Sequence, residues 1–365
     1  RTMTTKLRAA SFQDGAVTTA KIAADAITNA KIASSVNLGR RNMIINGAMQ
    51  IAQRNSSSAV TISGDGVYTT VDRFKARTYS GSGRFSMQHI TTDSPNKSFP
   101  NVLKLVNTTT DTSGTNGYSI STILETSSVI GANFSHSNAE STTISFHVKS
   151  SITGTYSVSI RIDSGSGEPS NIGEYTINSA NTWEKKTITF PPYTGGESLS
   201  NLIIDFGLGK QTSKTTSNLL TWQTTNFVFS NNQVDWQSNS GATFLITGIQ
   251  YEVGTQATPF EHRSIGEELP LCQRYFQKIS SMDCATKYNT GQPAPTFNFA
   301  YPTHMRSAPT ITLTSPAGGV ANSATYTQRN ITADSYNFYL QGTNDTHVAI
   351  GHNGEPASIT LEAEL

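Results

Sequence analysis

The first 36 residues are built on a ten-residue repeat, in which AVTTAKIA at residues 16–23 is followed by AITNAKIA at residues 26–33. Large apolar side chains recur there every five positions, at Leu7, Phe12, Val17, Ile22, Ile27 and Ile32. A five-residue step turns through about 140° round an α-helix and alternates between the faces of a β-strand. Neither regular element therefore gives a single chain one apolar stripe.

A repeated unit of a turn and a short segment explains this spacing if apolar residues of neighbouring chains meet round a common axis. We predict that residues 1–37 form a trimeric stalk and anchoring segment, which if fully extended would reach on the order of 100 Å. The alternative is a disordered, low-complexity linker. The chain starts with Arg1 rather than Met, which suggests a further anchoring segment upstream.

Residues 38–265 show a different pattern, with a period of two. In YSVSIRID at residues 156–163, apolar and polar residues alternate strictly, as a strand with one buried face requires. Many similar short runs occur across this range, bounded by Gly, Asn, Ser and Asp clusters. The pattern predicts an all-β, jelly-roll-like sandwich over this range.

Residues 266–365 combine a short helical pattern with further strand patterns. A helix is predicted at residues 270–278, with Pro270 in its first position. Strands are predicted at residues 296–301, 310–313, 336–340, 348–350 and 358–361. A small C-terminal β domain of this size buries only a modest core, so we expect it to be stabilised by packing against its copies.

The charge and cysteine content exclude several classes of partner. Charged residues make up 14% of the chain, against about 25% in ordinary domains, and 26 basic residues nearly balance 25 acidic ones. Nucleic acid is therefore not an expected partner. No apolar run approaches the length of a membrane span, so membrane insertion is not expected. Cys272 and Cys284 are predicted to be free thiols, because two cysteines complete neither a disulfide framework nor a zinc site.

Several segments resemble the large β-sandwich domain of bacteriophage tail fibres. They are NMIINGAM at residues 42–49, Tyr68 with DRF at residues 72–74, TGIQYEVG at residues 247–254, ATPFEHR at residues 257–263, and GEEL with LCQRY at residues 266–275. The resemblance brackets residues 14–278 and is most specific at residues 247–275. It implies a virion adhesin of a tailed phage, assembled in the host cytoplasm, commonly a homotrimer that contacts other tail or capsid proteins.

The sandwich also resembles carbohydrate-binding modules of the jelly-roll type, whose first strand similarly begins with Asn and ends in Asn-Gly. Those modules often continue with an aromatic and an acidic residue that help to form a calcium site, where this chain has Met49 and Gln50. Their closing strand is often acidic where this chain has Gln250 and Tyr251. No metal or other cofactor is therefore predicted.

No catalytic signature occurs in the sequence: there is no nucleophile elbow, phosphate loop or metalloprotease motif. The acidic residues Asp65, Asp72, Asp205, Asp235 and Glu252 are scattered among β segments, where such residues usually form turns or are solvated. Enzymatic activity is not predicted. We expect Asp72 and Arg73 to form an internal ion pair and His147 to be solvated on the outward side of its strand.

Sugar binding requires flat aromatic faces beside amide or carboxylate groups. Trp222 and Trp236 fit best, because both lie in polar, loop-like sequence, and Tyr79 and Tyr193 are weaker candidates. The alternative is that these rings cover an edge of the sandwich or a subunit contact. The predicted function is adhesion to a host-surface glycan; the rival hypotheses are a capsid decoration or fibre-connector protein without a host ligand, and a polysaccharide depolymerase.

Overall fold

The computed structural model describes residues 40–365 apart from residues 56, 63, 80, 165–167, 283, 288–293, 295, 315–324, 342–346 and 351–356. The predicted stalk at residues 1–37 lies outside the described residues, so its trimeric arrangement stays a prediction. The described residues form 22 β-strands, one α-helix and a few short 3₁₀ turns. The all-β fold class is therefore confirmed.

Two six-stranded antiparallel sheets make up the larger unit. The first sheet has, in spatial order, the strands β1 (Val60–Thr61), β4 (Arg84–Ile90), β5 (Val102–Thr109), β14 (Thr243–Val253), β7 (Thr142–Ser150) and β10 (Glu184–Phe190). The second sheet has β2 (Val67–Tyr68), β3 (Lys75–Tyr79), β6 (Gly117–Glu125), β11 (Asn201–Gly207), β8 (Gly154–Asp163) and β9 (Ser170–Ile177). A short parallel pair, β12 (Thr215–Thr216) and β13 (Phe229–Ser230), lies in the connection from β11 to β14.

The two sheets form a sandwich with one continuous core. Successive strands from β4 to β8 and from β10 to β11 mostly cross from one sheet to the other, and this order is typical of a jelly roll. Apolar residues at alternate positions point between the sheets, as in Phe146, Tyr156, Phe206 and Phe244, all fully buried. The period-two pattern predicted these inward positions correctly.

The outer face of the second sheet is also buried, which the sequence pattern did not predict. On β8, Ser157, Ser159 and Arg161 occupy the polar phase but are 0%, 0% and 2% exposed. The long connection at residues 208–242 covers this face, and Gln233 from that connection accepts a hydrogen bond of 3.1 Å from the Ser157 amide. The alternating apolar and polar residues of β8 therefore lie on two buried faces, one packed in the apolar core and one hydrogen-bonded to the covering segment.

A buried ion pair lies at the centre of that covered face. The Arg161 guanidinium is 2.9 Å from the Asp205 carboxylate, which is 0% exposed and also accepts hydrogen bonds from Ser119 and Ser121. Burial alone would raise the pKa of Asp205, but the charge of Arg161 holds that pKa below its usual value. The carboxylate is thus satisfied internally, as a buried charge must be.

Helix α1 (Ile265–Gln273) links the sandwich to the C-terminal strands. Ser264 and Glu267 form a capping box at its start, and this motif fixes a helix N-terminus. The predicted bounds of 270–278 were wrong, because the capping box starts the helix earlier and places Pro270 inside it. Cys272 on this helix is buried as a free thiol.

The C-terminal strands form three small sheets, two of which contribute residues to a second hydrophobic cluster. Their bounds are β15 (Phe276–Met282), β16 (Cys284–Lys287), β17 (Thr296–Ala300), β18 (Thr310–Thr314), β19 (Thr325–Arg329), β20 (Ser335–Gln341), β21 (His347–Ile350) and β22 (Ala357–Glu362). The strand orders are β15-β22-β18, β16-β21 and β17-β20-β19. Tyr336, Leu340, Ile359 and Met305 are fully buried in this cluster.

The sandwich and the C-terminal strands meet at Arg73. Its guanidinium forms an ion pair with Glu364, donates to the carbonyl of Ile123 and lies 3.5 Å from the centre of the Tyr275 ring. Both charged side chains are almost completely buried, at 1% and 6% exposure. This contact therefore joins β6, Tyr275 in the short connection between α1 and β15, and the segment after β22.

The expected ion pair between Asp72 and Arg73 does not form. Arg73 has a positive φ of 72°, and the two side chains have different partners. Asp72 accepts hydrogen bonds from Gln53 and lies 3.6 Å from Arg54. Burial raises the pKa of Asp72 to about 6, so these surroundings disfavour the charged carboxylate relative to water despite the nearby Arg54.

The Glu364→Ala substitution should lower the free energy of unfolding by about 3–5 kcal/mol, because it leaves the buried Arg73 charge without its partner. Glu362→Ala is the matched control, since Glu362 is 51% exposed and its contact with Arg54 is 3.4 Å; its effect should stay below about 1 kcal/mol. Urea unfolding of both variants measures the difference. Equal effects would contradict a decisive role for the Arg73 contact.

The chain enters the sandwich beside the segment by which it leaves. The backbone amides of Arg41 and Asn42 both donate to the Glu261 carboxylate. The carbonyl of Gly47 accepts a 2.9 Å hydrogen bond from Ile249 on β14. A Cβ atom at Gly47 would lie 2.1 Å from the Ile249 carbonyl oxygen, so only glycine fits this approach.

We therefore expect Gly47→Ala to destabilise the sandwich by about 1–3 kcal/mol, since the backbone of β14 must move to accept the methyl group. Gly196→Ala is the control, because a Cβ atom there meets no heavy atom within 4 Å. The midpoint of urea unfolding should fall for Gly47→Ala and stay nearly unchanged for Gly196→Ala. A similar midpoint for both would show that β14 adapts without cost.

Candidate functional site

Trp222 lies at one edge of the sandwich, where its half-buried ring packs against two other aromatic rings. Its ring centre is 4.6 Å from that of Tyr193 and 6.2 Å from that of Phe134. The indole N–H donates to the Pro191 carbonyl at 2.9 Å. Because the polar group of the ring is already bonded, the remaining exposed surface is an apolar, rigidly held face, as sugar stacking requires.

The loop that carries Trp222 is fixed by hydrogen bonds and bears amide groups. Gln223 pairs through its backbone with Ser170, with hydrogen bonds of 2.9 Å in both directions. Its side-chain carbonyl accepts from Thr216 at 2.9 Å, and its amide donates to the carbonyl of Asn218. Leu220 has a positive φ of 50° and is 45% exposed. A strained, exposed apolar residue of this kind is common at binding sites.

Tyr193 supports this site rather than offering a face of its own. The side chain is 6% exposed, and its hydroxyl donates a hydrogen bond to the Glu197 carboxylate. Burial and this hydrogen bond raise the pKa of Tyr193, which keeps the phenol neutral. Of the four aromatic candidates, the structure brings Trp222 and Tyr193 together as one cluster.

The structure contradicts the prediction of an exposed Trp236. This side chain is 0% exposed, donates to the carbonyl of Thr243 at 3.2 Å and packs edge-on against Phe85. Its sequence surroundings are polar, but the neighbouring Gln237 is also 0% exposed and donates hydrogen bonds to Asn107 and Thr109, while the indole itself fills the core. Trp236 therefore has no free ring face for a ligand.

Tyr79 is half-buried within an ionic network on the second sheet. Its ring packs edge-on against Phe229 at 6.1 Å, and the Arg77 guanidinium lies 5.0 Å from the ring centre. The hydroxyl accepts a long hydrogen bond of 3.5 Å from Arg161. These contacts occupy both the ring and the hydroxyl, so Tyr79 is less suited to stacking than Trp222.

Trp183, the third tryptophan, was missed by the sequence analysis. It is half-buried and directly precedes β10, where its indole N–H donates to Asp93 at 3.4 Å. The Lys149 ammonium contacts both oxygens of the same carboxylate, at 2.7 and 2.8 Å. The signal was present in the sequence, because Ile188 and Phe190 define the inward phase of this strand and Trp183 falls on the outward one.

His147 is not a freely solvated side chain, contrary to expectation. Its ring lies 4.7 Å from that of Phe99, and burial together with the charge of Lys185 lowers the pKa of His147.

Within the part of the chain that the structure describes, no group of three His, Cys, Asp or Glu residues could hold a metal ion. No helix among the described residues is long and apolar enough to cross a membrane.

The sequence matches no protein-family model and no curated protein. Among solved structures, similarity is found to the enzymatically active domain of tailspike protein 4 of bacteriophage CBA120, with 15% identity and a TM-score of 0.31. That alignment covers 58% of this chain and 21% of the tailspike chain.

Similarity also extends to two carbohydrate-binding modules. The family 11 module of a Clostridium thermocellum cellulase has 14% identity and a TM-score of 0.29, and the alignment covers 57% of this chain and 100% of the module. The xylan-binding CBM22-2 domain of Paenibacillus barcinonensis Xyn10C has 12% identity and a TM-score of 0.29, over 50% of this chain and 92% of the domain. At such scores the alignments decide neither fold nor function, and the fold is defined by the strand order described above.

Proposed function

We propose that this chain is an adhesive and structural subunit of a phage virion, which works as a homotrimer and attaches the particle to a host-surface glycan without a covalent step. The observation that carries the glycan-binding part is the geometry of Trp222. Its ring is braced by Tyr193, its N–H is bonded to Pro191, and the loop that carries it also bears the amides of Asn218 and Gln223.

These features suit a pyranose for physical reasons. The C–H groups of a sugar ring present an apolar face that stacks on an indole, while its hydroxyls need amide or hydroxyl partners. Packing and hydrogen bonds hold Trp222 in place before a ligand arrives, which reduces the entropy lost on binding. The virion and homotrimer parts of the proposal are supported by the ten-residue repeat before residue 37 and by the tail-fibre resemblance of residues 247–275.

Trp222→Ala should weaken retention of the full chain on immobilised host-envelope polysaccharide by about fivefold per site, which corresponds to the loss of one stacking contact. Trp222→Phe is the control, because it keeps an aromatic face and should keep most of the retention. Affinity electrophoresis against the purified polysaccharide measures both. Unchanged retention of Trp222→Ala, with a normal unfolding midpoint, would remove Trp222 from the binding surface.

The trimer is tested separately by the mass of the full chain in solution. Multi-angle light scattering should give three times the 39.3 kDa mass of one chain, because apolar residues at five-residue steps are buried only between chains. Replacing both Ile22 and Ile27 by Asp should reduce the mass toward that of one chain. A stable monomer of the unaltered chain would contradict the proposed stalk.

A further inference from the structure

We propose that the outer face of the first sheet is a second glycan-binding surface, specific for an acidic polysaccharide of carboxylated pyranoses. The surface consists of Trp183, Asp93, Lys104, Lys149 and Lys185, and is called here the Trp183 face. This inference rests on the proposed function and adds a substrate class and a site that is separate from Trp222.

Strand register places these residues on one face. Lys104 lies opposite Leu245, and Leu245 lies opposite Lys149. Lys185 lies opposite His147 in the next row, and Trp183 is two residues before Lys185, so it points to the same side. Adjacent strands are about 4.8 Å apart, which puts this row of side chains within the span of a few sugar rings.

The charge of the Trp183 face is positive. Lys149 is paired with Asp93, whereas Lys104 and Lys185 have no carboxylate within 4 Å among the described residues. The nearby Glu184 is paired with Lys186 at 2.5 Å and also accepts hydrogen bonds from Asn178. Two unpaired ammonium groups therefore remain on this face, Lys185 two residues after the tryptophan and Lys104 three strands away from it, and they can meet the carboxylates of successive rings of an acidic saccharide.

The indole is held in a fixed position for such a ligand. Its N–H is directed at Asp93, and Asp93 itself has a positive φ of 53°, a backbone conformation that costs energy for a residue other than glycine. The two contacts from Lys149 keep the carboxylate in this position. The loop from β4 to β5 thus anchors the ring edge and leaves a ring face for stacking.

The Trp183 face also lies away from the junction with the C-terminal strands. The chain enters the sandwich at Asn42, whose side chain accepts a hydrogen bond from the Tyr251 amide. Lys149 pairs with Leu245, six residues earlier on β14, which is about 20 Å along the strand. The surface is therefore at the opposite end of the sandwich from α1 and Arg73.

The test compares retention of the full chain on three immobilised polymers: polygalacturonate, which carries carboxylated pyranoses, neutral dextran, and polyphosphate, which carries charge without a sugar ring. We expect selective retention on polygalacturonate that decreases with rising salt. Trp183→Ala should reduce it by about tenfold and Lys185→Glu by about threefold. Trp183→Phe should keep most of the retention.

Lys278→Glu is the matched control, because Lys278 is an exposed lysine on β15 and the charge change is the same; it should leave retention on polygalacturonate unchanged. Equal retention on polyphosphate, or equal loss in Lys185→Glu and Lys278→Glu, would overturn the inference in favour of non-specific ion exchange. Binding to host polysaccharide that Trp222→Ala abolishes, without binding to polygalacturonate, would overturn the inference while supporting the proposed function. Failure of the unaltered chain to bind any polysaccharide would overturn both.

Discussion

The relative placement of the two β units depends on one buried guanidinium. Arg73 reaches the sandwich through the carbonyl of Ile123, the end of the linking helix through Tyr275, and the C-terminal strands through Glu364. A charge this deeply buried is tolerated only when it is paired, and the Glu364 carboxylate supplies that partner, although the Arg73 Nε has no hydrogen-bond acceptor among the described residues. The three contacts therefore have to form together, which makes the junction a specific contact rather than a general apolar one.

The connection at residues 208–242 determines which surfaces of the sandwich can bind a ligand. It covers the outer face of the second sheet and buries Asp205, Arg161 and several serines there. A ligand cannot reach that sheet without displacing a hydrogen-bonded segment. The exposed aromatic surface therefore lies elsewhere, at the Trp222 edge and on the outer face of the first sheet.

The sequence predicted the positions of the strands well but did not predict which polar side chains are buried. Strict alternation located β8 and the inward phase of β7 because backbone geometry imposes that period. It could not show that Ser157 and Arg161 are buried, since their cover is a segment more than 40 residues distant along the chain. Polar neighbours likewise made Trp236 look exposed, although a single 3₁₀ turn rotates the indole into the core.

For the candidate site too, the sequence identified individual residues but not the contacts between them. Trp222 was identified as a candidate in polar sequence and Tyr193 as a weaker one in a turn rich in Pro and Gly, but their contact joins two loops that no local pattern relates. Trp183 could have been found by following strand phase from Ile188 and Phe190. The ion pair of Asp93 with Lys149, by contrast, depends on a loop folding back across three strands, which the sequence does not encode locally.

The adjacency of Asn42 and Glu261 has a consequence for how such a chain can diversify. A domain whose two connections leave at neighbouring points can be replaced by another of different size without altering the spacing of the segments on either side. Recombination at these two positions would exchange the whole sandwich in a single event. The hydrogen bonds at Glu261 thus hold together the two ends of a segment that can be exchanged as a unit.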